Sequence, residues 1–114
     1  MKHVVVAIRS SPLTTTRVHE GFRMALGLTL SNHQVTVAYT GDGAGAALVL
    51  DGETVQRPGL ADSLDLFEAC KIREIVEREA LLPAQRGGVR RQVQPVDQAG
   101  LLDLFAQADV VIPW

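Results

Sequence analysis

The sequence predicts an α/β fold in which a mostly parallel, five-stranded sheet is covered by helices on both faces. Apolar, β-branched segments alternate with amphipathic helical segments, which is the order that builds parallel β-α-β units. Residues 3–8 form a continuous apolar run without polar alternation, as expected for a central strand buried on both faces. The 114 residues are enough for a single domain, 1–114, with its own core.

The first helix is predicted from about Thr15 to Leu30, after a loop rich in capping residues. Its apolar positions recur at helical spacing and form one stripe that faces the sheet. Met24 and Leu28 lie off this stripe, so the apolar arc is wider than one sheet contact requires. Either a second subunit or deep burial within the chain would explain that width. The stripe consists of Val18, Phe22, Ala25, Leu26 and Thr29.

The middle of the chain is divided by its Gly, Pro and charged residues. Residues 61–82 could form one long helix by propensity, but that would leave too few strands for a sheet, so we divide them into a helix and a strand. The predicted elements are a strand at 34–40, a short apolar helix at about 44–50, an exposed loop at 51–59, a helix at about 62–71 and a strand at 72–77.

The sequence of the last third of the chain predicts a strand, a helix and a final strand. Val89–Val93 contains charged residues between its valines, and such charged alternation is typical of a strand near a sheet edge. Asp97 can cap a helix over 98–108, and the last strand covers 109–114. The apolar face of this helix is predicted to consist of Leu101, Leu102, Leu104 and Phe105.

Composition excludes several classes of function. The formal net charge of −2 lacks the basic excess of a protein that binds nucleic acid directly. No apolar run approaches the roughly 20 residues of a membrane span. Met1 and Lys2 lead directly into a strand-like segment, which predicts no signal peptide. The single cysteine, Cys70, excludes an internal disulfide and suits a reducing compartment, so we expect a cytoplasmic protein.

A candidate ligand site follows from the strand order, because ligands of parallel sheets bind at the carboxyl ends of the strands. The loop after the first strand supplies a guanidinium, hydroxyls and a helix start, which suit an anion. The Asp-Gly turn after the second strand could line the same cleft. The alternatives are ordinary helix capping and an ordinary turn. The candidate ligand-binding residues are Arg9, Ser10, Ser11, Thr14, Asp42 and Gly43.

Other charged and titratable side chains are expected to be solvated. Arg86, Arg90 and Arg91 form a small basic cluster that we interpret as a solvated face, the alternative being a contact with RNA or an acidic partner. Glu77 and Glu79 lie at a strand end and are best read as part of a solvated loop. No metal site and no cofactor are predicted, since the histidines have no mutual ligand spacing. The histidines are His3, His19 and His33.

Three segments resemble the DsrE/DsrF/TusC family of sulfur-relay proteins. They are Val-Val-Val-Ala-Ile-Arg-Ser-Ser-Pro at 4–12 with the following helix, Val-Thr-Val-Ala-Tyr-Thr-Gly-Asp-Gly at 35–43, and the closing helix and strand over 93–112. The resemblance implies a three-layer α/β/α domain of flavodoxin-like appearance. It also implies self-association as a dimer, trimer or hexamer, or association with related sulfur-relay subunits; a sulfur-carrier protein is a further candidate partner.

The resemblance implies persulfide transfer, in sulfur oxidation or in tRNA thiolation. In the DsrE-type branch a cysteine just beyond the third strand carries the persulfide, but here the matching stretch is Glu77-Arg78-Glu79. The chain is therefore more similar to the DsrF/TusC-type companion subunit. At most it is a sulfurtransferase-like carrier that uses Cys70 as its catalytic residue.

Cys70 has two interpretations. Lys71 and Arg73 could favour the thiolate that a persulfide carrier needs. However, Cys70 lies near a predicted helix C-terminus and before the third strand, at the opposite end of the sheet from the cleft. It could equally be a small buried hydrophobic residue. The alternative function is a non-catalytic module that binds a small anion or another ligand through the cleft near Arg9 and Asp42.

Overall fold

The computed structural model describes residues 2–9, 17–48, 66–67, 69–90 and 92–114. Five strands form one sheet in the order β4-β3-β2-β1-β5, and every neighbouring pair is parallel. This confirms the predicted α/β class with a five-stranded parallel sheet. The strands are β1 (His3–Ile8), β2 (Gln34–Tyr39), β3 (Arg73–Glu77), β4 (Val93–Val96) and β5 (Val110–Pro113).

The central position of β1 follows from its composition. All five residues of 4–8 are buried, and the strand has a parallel neighbour on each side. In register, Val6 lies between Val37 of β2 and Ile112 of β5. A strand covered on both faces needs no polar alternation, so the uninterrupted apolar run predicted its place correctly.

In the described part of the chain, the sheet is covered by α1 (Arg17–Leu30) and α2 (Gln98–Gln107). The chain moves across the sheet in one direction from β1 to β4, and then returns past β1 to form β5. Because parallel crossovers are right-handed, the return places α2 on the face opposite to the earlier connections. The two core clusters agree, since α1 packs on one face and Leu101 of α2 packs on the other.

Aromatic residues fill the core on the α1 face. Phe22 of α1 contacts Phe67 edge-on with ring centroids 4.9 Å apart, and Tyr39 at 6.2 Å. All three side chains are fully buried. Leu28 packs against this cluster and Met24 is also partly buried, so burial within the chain explains part of the wide apolar arc on α1.

Left-handed residues end the helical segments. Asn32 has φ 68°, and the His33 amide donates to the carbonyl of Leu28 at 3.2 Å, which closes α1 as in a Schellman motif. Lys71 has φ 59°, and Ile72 donates to Phe67 at 2.9 Å in the same way. Residues 66–67 and 69 are helical, so this helix ends before the turn at 70–71.

One predicted element differs from the structure, and one predicted boundary lies outside the described residues. The apolar helix expected at 44–50 is a 3₁₀ helix at Gly41–Ala47, and Leu48 leaves it to form a bridge with Val89; residues 49–65, including the predicted loop at 51–59, lie outside the described residues. Residues Pro83–Gly88 form a further 3₁₀ helix, in which the Leu82 amide donates to the Gln85 side chain. The first helix is described from Arg17, and the predicted start at Thr15 lies outside the described residues.

The fourth strand was predicted four residues too early. It occupies Val93–Val96 rather than 89–93, because Arg90 turns inward and Val89 pairs with Leu48 instead of with β3. The strand does lie at a sheet edge, as its charged neighbourhood indicated. Pro95, which has no amide hydrogen to donate, is tolerated in an edge strand.

The second helix begins where its cap was predicted. Asp97 accepts a hydrogen bond from the Gly100 amide at 2.8 Å. Of the predicted apolar face, Leu101 is buried and Leu104 and Phe105 are partly buried, but Leu102 is 57% exposed. Leu102 therefore does not belong to the core. In the part of the chain that the structure describes, no helix is long and apolar enough to cross a membrane.

Candidate functional site

The loops after β1 and β2 meet at the carboxyl edge of the sheet. The amide of Thr40 donates to the carbonyl of Ile8 at 3.0 Å, and the amide of Gly43 donates back to Thr40 at 2.9 Å. Gly43 is buried so closely against β1 that a Cβ there would lie 2.0 Å from the Ile8 carbonyl oxygen and 3.1 Å from the Arg9 amide nitrogen. The two predicted loops therefore touch through their backbones.

This edge brings Arg9, Asp42 and Gly43 of the predicted ligand site together. Arg9 and Asp42 are exposed, and neither side chain forms a hydrogen bond or ion pair with another described residue. Both side chains lie at the carboxyl ends of the strands, where ligands of parallel sheets bind. Ser10, Ser11 and Thr14, the other members of the predicted site, lie outside the described residues.

A carboxylate from the third strand adjoins the same edge. Glu77, the last residue of β3, accepts a hydrogen bond of 3.3 Å from the Gly41 amide. Gly41 has φ 52° and begins the 3₁₀ helix that carries Asp42. Glu77 is partly buried, so it orders the turn rather than lying in a fully solvated loop.

Cys70 lies at the opposite edge. It follows the helical residues 66–67 and 69 and precedes Ile72 and β3, whose amino end it adjoins. Its amide donates to Leu66 at 2.9 Å, and its partly buried side chain packs against the core. A helix C-terminus presents carbonyl oxygens, which offer no donors to an anionic sulfur.

Sequence reasoning missed a buried polar cluster formed by Tyr39, Glu74 and Arg90. The Tyr39 hydroxyl donates to Glu74 Oε1 at 2.6 Å, and Arg90 Nη2 lies 2.9 Å from the same oxygen. Arg90 Nη2 also donates to the Ala46 carbonyl at 2.8 Å. Arg90 is only 7% exposed and Glu74 only 2%, so the expectation that Arg90 belongs to a solvated face was wrong.

Within the cluster, the pKa values of both Tyr39 and Arg90 are raised. Burial raises the pKa of Tyr39 well above its ordinary value, and Glu74 raises it further while Arg90 opposes the shift. Burial disfavours the charge of Arg90, yet its interactions with Tyr39 and Glu74 outweigh this and raise the pKa of Arg90. Nε and Nη1 of Arg90 are buried without a partner among the described residues.

One signal in the sequence could have revealed this cluster. In the predicted strand Glu74 lies two residues from Ile72 and two from Val76, so the three side chains share one face of the sheet. Because the other two are apolar, Glu74 occupies a core-facing position. A buried carboxylate needs a charged or hydrogen-bonding partner. The structure supplies that partner from the arginines before β4, the strand that pairs with β3.

The histidines have structural contacts. His3 Nε2 lies 3.0 Å from the Thr36 hydroxyl, and His33 Nδ1 accepts from the Lys2 amide at 3.3 Å. The side chain of His19 lies outside the described residues. Among the described residues, no group of three or more histidine, cysteine, aspartate or glutamate side chains could hold a metal ion.

Together the fold and the meeting loops define a single-sheet α/β protein with its candidate site at the carboxyl edge of parallel strands. Of the predicted site residues, the structure brings Arg9 to the turn of Asp42 and Gly43 and places Cys70 at the other edge.

Comparison with known proteins identifies the fold. No protein-family model and no curated protein sequence matches the chain. Among solved structures, the crystal structure of the YchN protein from E. coli is similar, with a TM-score of 0.80, 18% sequence identity and all of both chains covered. This chain therefore shares the fold of YchN, a five-stranded parallel α/β sheet covered by helices. At this identity the likeness concerns the fold alone.

Proposed function

We propose that this chain is an accessory subunit of a cytoplasmic sulfur-relay system, one that associates with other subunits without carrying persulfide sulfur itself. The position of its only thiol is the observation that carries the proposal. Cys70 lies at the amino edge of the sheet, at the end of a helix and packed against the core. The resemblance would place a persulfide cysteine beyond β3, where this chain has Glu77, Arg78 and Glu79.

Exposed apolar side chains support association with copies of the chain or with related subunits. Leu30, at the end of α1, is 83% exposed, and Leu102 projects from α2. Among the described strands, edge strand β5 pairs with β1 alone, and it exposes Val110 and Val111. Apolar groups of this kind mark protein-protein contacts when they cluster into larger patches.

Mass spectrometry of the intact protein tests the accessory role. Wild type and Cys70→Ser are incubated with a persulfide donor, and each is compared with the same protein unfolded in urea. We expect unfolded wild type to gain the mass of one sulfur and folded wild type to gain none. A gain by folded wild type that Cys70→Ser lacks would make Cys70 a carrier and contradict the proposal.

The assembly is tested separately. Light scattering coupled to gel filtration measures whether the chain forms a dimer, a trimer or a hexamer. Affinity capture with the purified chain against candidate subunits of sulfur oxidation and of tRNA thiolation distinguishes the two pathways. A chain that stays monomeric and captures neither set would contradict the accessory role.

A non-catalytic ligand-binding module is the second candidate, and the contact of Gly43 with Ile8 favours it. That contact places the exposed side chains of Arg9 and Asp42 on adjoining loops at the usual ligand-binding edge of a parallel sheet. Binding of a ligand that is lost in Arg9→Ala and unchanged in Cys70→Ser would favour this module over the relay subunit.

A further inference from the structure

A second concave site lies at the carboxyl end of β3 and β4. It is a depression of about 260 Å³ lined by Arg78, Leu81, Arg86 and Pro95. Arg78 directly follows β3, and Pro95 lies opposite Val76 in edge strand β4. The two arginines come from different turns of the connection between these strands. The depression is thus built by residues that only folding brings together.

The depression carries the positive charge of two arginines. Arg78 and Arg86 are both exposed, and neither forms a hydrogen bond or ion pair with another described residue. The neighbouring carboxylates are directed elsewhere: Glu77 accepts from the Gly41 amide at 3.3 Å, and Glu79 accepts from the Gln98 amide at 3.4 Å. Two guanidinium groups therefore face this space in a chain whose formal net charge is −2.

The lining and the size favour a small oxyanion. A guanidinium presents paired N–H donors that match the oxygens of phosphate, sulfate and carboxylate groups. Buried Leu81 and the ring of Pro95 supply an apolar wall beside the two guanidinium groups. The volume falls below the roughly 300–1,000 Å³ of pockets for drug-sized ligands.

We propose that Arg78 and Arg86 form a binding site for a tetrahedral oxyanion, either free or as the end group of a larger molecule. The site lies beyond β3 and is separate from the cleft of Arg9 and Asp42, which follows β1 and β2. It needs no thiol and does not rest on the proposed accessory function. A negative result in the persulfide experiment therefore leaves it standing.

Isothermal titration with sodium sulfate, at ionic strength held constant with sodium chloride, tests the site. The variants are Arg78→Ala and Arg86→Ala, and Arg23→Ala is the matched control because Arg23 is an exposed arginine on α1. We expect saturable binding by wild type and Arg23→Ala, weakened about tenfold or more by loss of either pocket arginine. Equal binding by all four proteins, or none by wild type, would overturn the proposal.

Amide chemical shifts locate the binding independently. Sulfate should move the amide signals of residues 78–86, while movement confined to Arg9, Asp42 and Gly43 would assign the anion to the other cleft and overturn the proposal. A parallel titration with phenyl phosphate distinguishes the two sources of the group. Tighter binding than sulfate indicates the end group of a larger molecule, and weaker binding indicates a free anion.

Discussion

Nη2 of Arg90 and Oε1 of Glu74 lie 2.9 Å apart in the interior of the protein, where each side chain is more than nine-tenths buried. The contact joins the segment before β4 to the second residue of β3. The same Arg90 nitrogen holds the carbonyl of Ala46 in the 3₁₀ helix that follows β2. One guanidinium thus connects the sheet to the turn that carries Asp42 and Gly43.

Removing the charge of Glu74 should destabilise the fold strongly. Glu74→Gln leaves the Arg90 charge buried without its counter-ion, and breaking a buried pair in this way costs about 3–5 kcal/mol of unfolding free energy. Urea denaturation of Glu74→Gln, Arg90→Met and the double variant measures the coupling. We expect the double variant to lose clearly less than the sum of the single losses, and strict additivity would contradict a direct interaction.

Tyr39 should make the protein lose stability in alkaline solution. Its folded pKa is raised above the unfolded value of about 10, so its contribution is fully present below about pH 10. Above that pH the unfolded chain releases its phenolic proton first, and the unfolding free energy falls. Tyr39→Phe should show a smaller alkaline loss than wild type.

The titration of Tyr39 can be observed directly, because the chain has one tyrosine. We expect the ultraviolet absorbance of phenolate to develop in the folded protein well above about pH 10, and at about pH 10 in urea. Phenolate absorbance at the same pH in both states would contradict the buried hydrogen bond between Tyr39 and Glu74.

The sheet was predictable from the sequence because its central strands carry their own signal. The continuous apolar run of β1 and the β-branched alternation of β2 each indicate a strand from the residues of that segment alone. Local chemistry likewise determined the start of α2 at Asp97. The meeting of Arg9 with Gly43 follows from topology, since both residues come after neighbouring parallel strands.

The position of β4 was not predictable from local pattern. The alternation of charge in residues 89–93 is typical of an edge strand, but Arg90 is buried because of a glutamate sixteen residues earlier. The arginine pocket was missed for a similar reason. Arg86 was grouped with its near neighbours Arg90 and Arg91, whereas in space it shares a depression with Arg78.

Asp97→Ala should weaken α2 by removing its N-cap. Loss of a capping carboxylate costs about 0.5–2 kcal/mol of unfolding free energy, because the Gly100 amide loses its acceptor. Asp103→Ala is the control, since Asp103 is exposed in the same helix and should change stability by about 0.5 kcal/mol or less. Urea denaturation compares the two variants. Equal losses would indicate an effect of charge rather than of capping.

A pair of glycine variants tests the close approach of the two loops at the carboxyl edge. In Gly43→Ala the new methyl group would overlap the Ile8 carbonyl oxygen, which belongs to the central strand and cannot turn aside as a flexible side chain could. We expect a loss of about 1–3 kcal/mol, the usual cost of overpacking. Gly27→Ala, at an exposed position of α1 with no atom near the added methyl, should gain about 0.5–1 kcal/mol.

Thermal and urea denaturation measure the change in unfolding free energy of both variants. The two expected changes have opposite signs, so a general effect of replacing glycine by alanine cannot produce both. At Gly27 the substitution by alanine lowers the backbone entropy of the unfolded chain, which stabilises the fold. At Gly43 the same substitution forces the ends of β1 and β2 apart. If Gly43→Ala were as stable as wild type, the turn after β2 would not rest on β1. Arg9 and Asp42 would then lack the backbone contact that brings them to one edge, and the ligand-binding module would lose its structural basis.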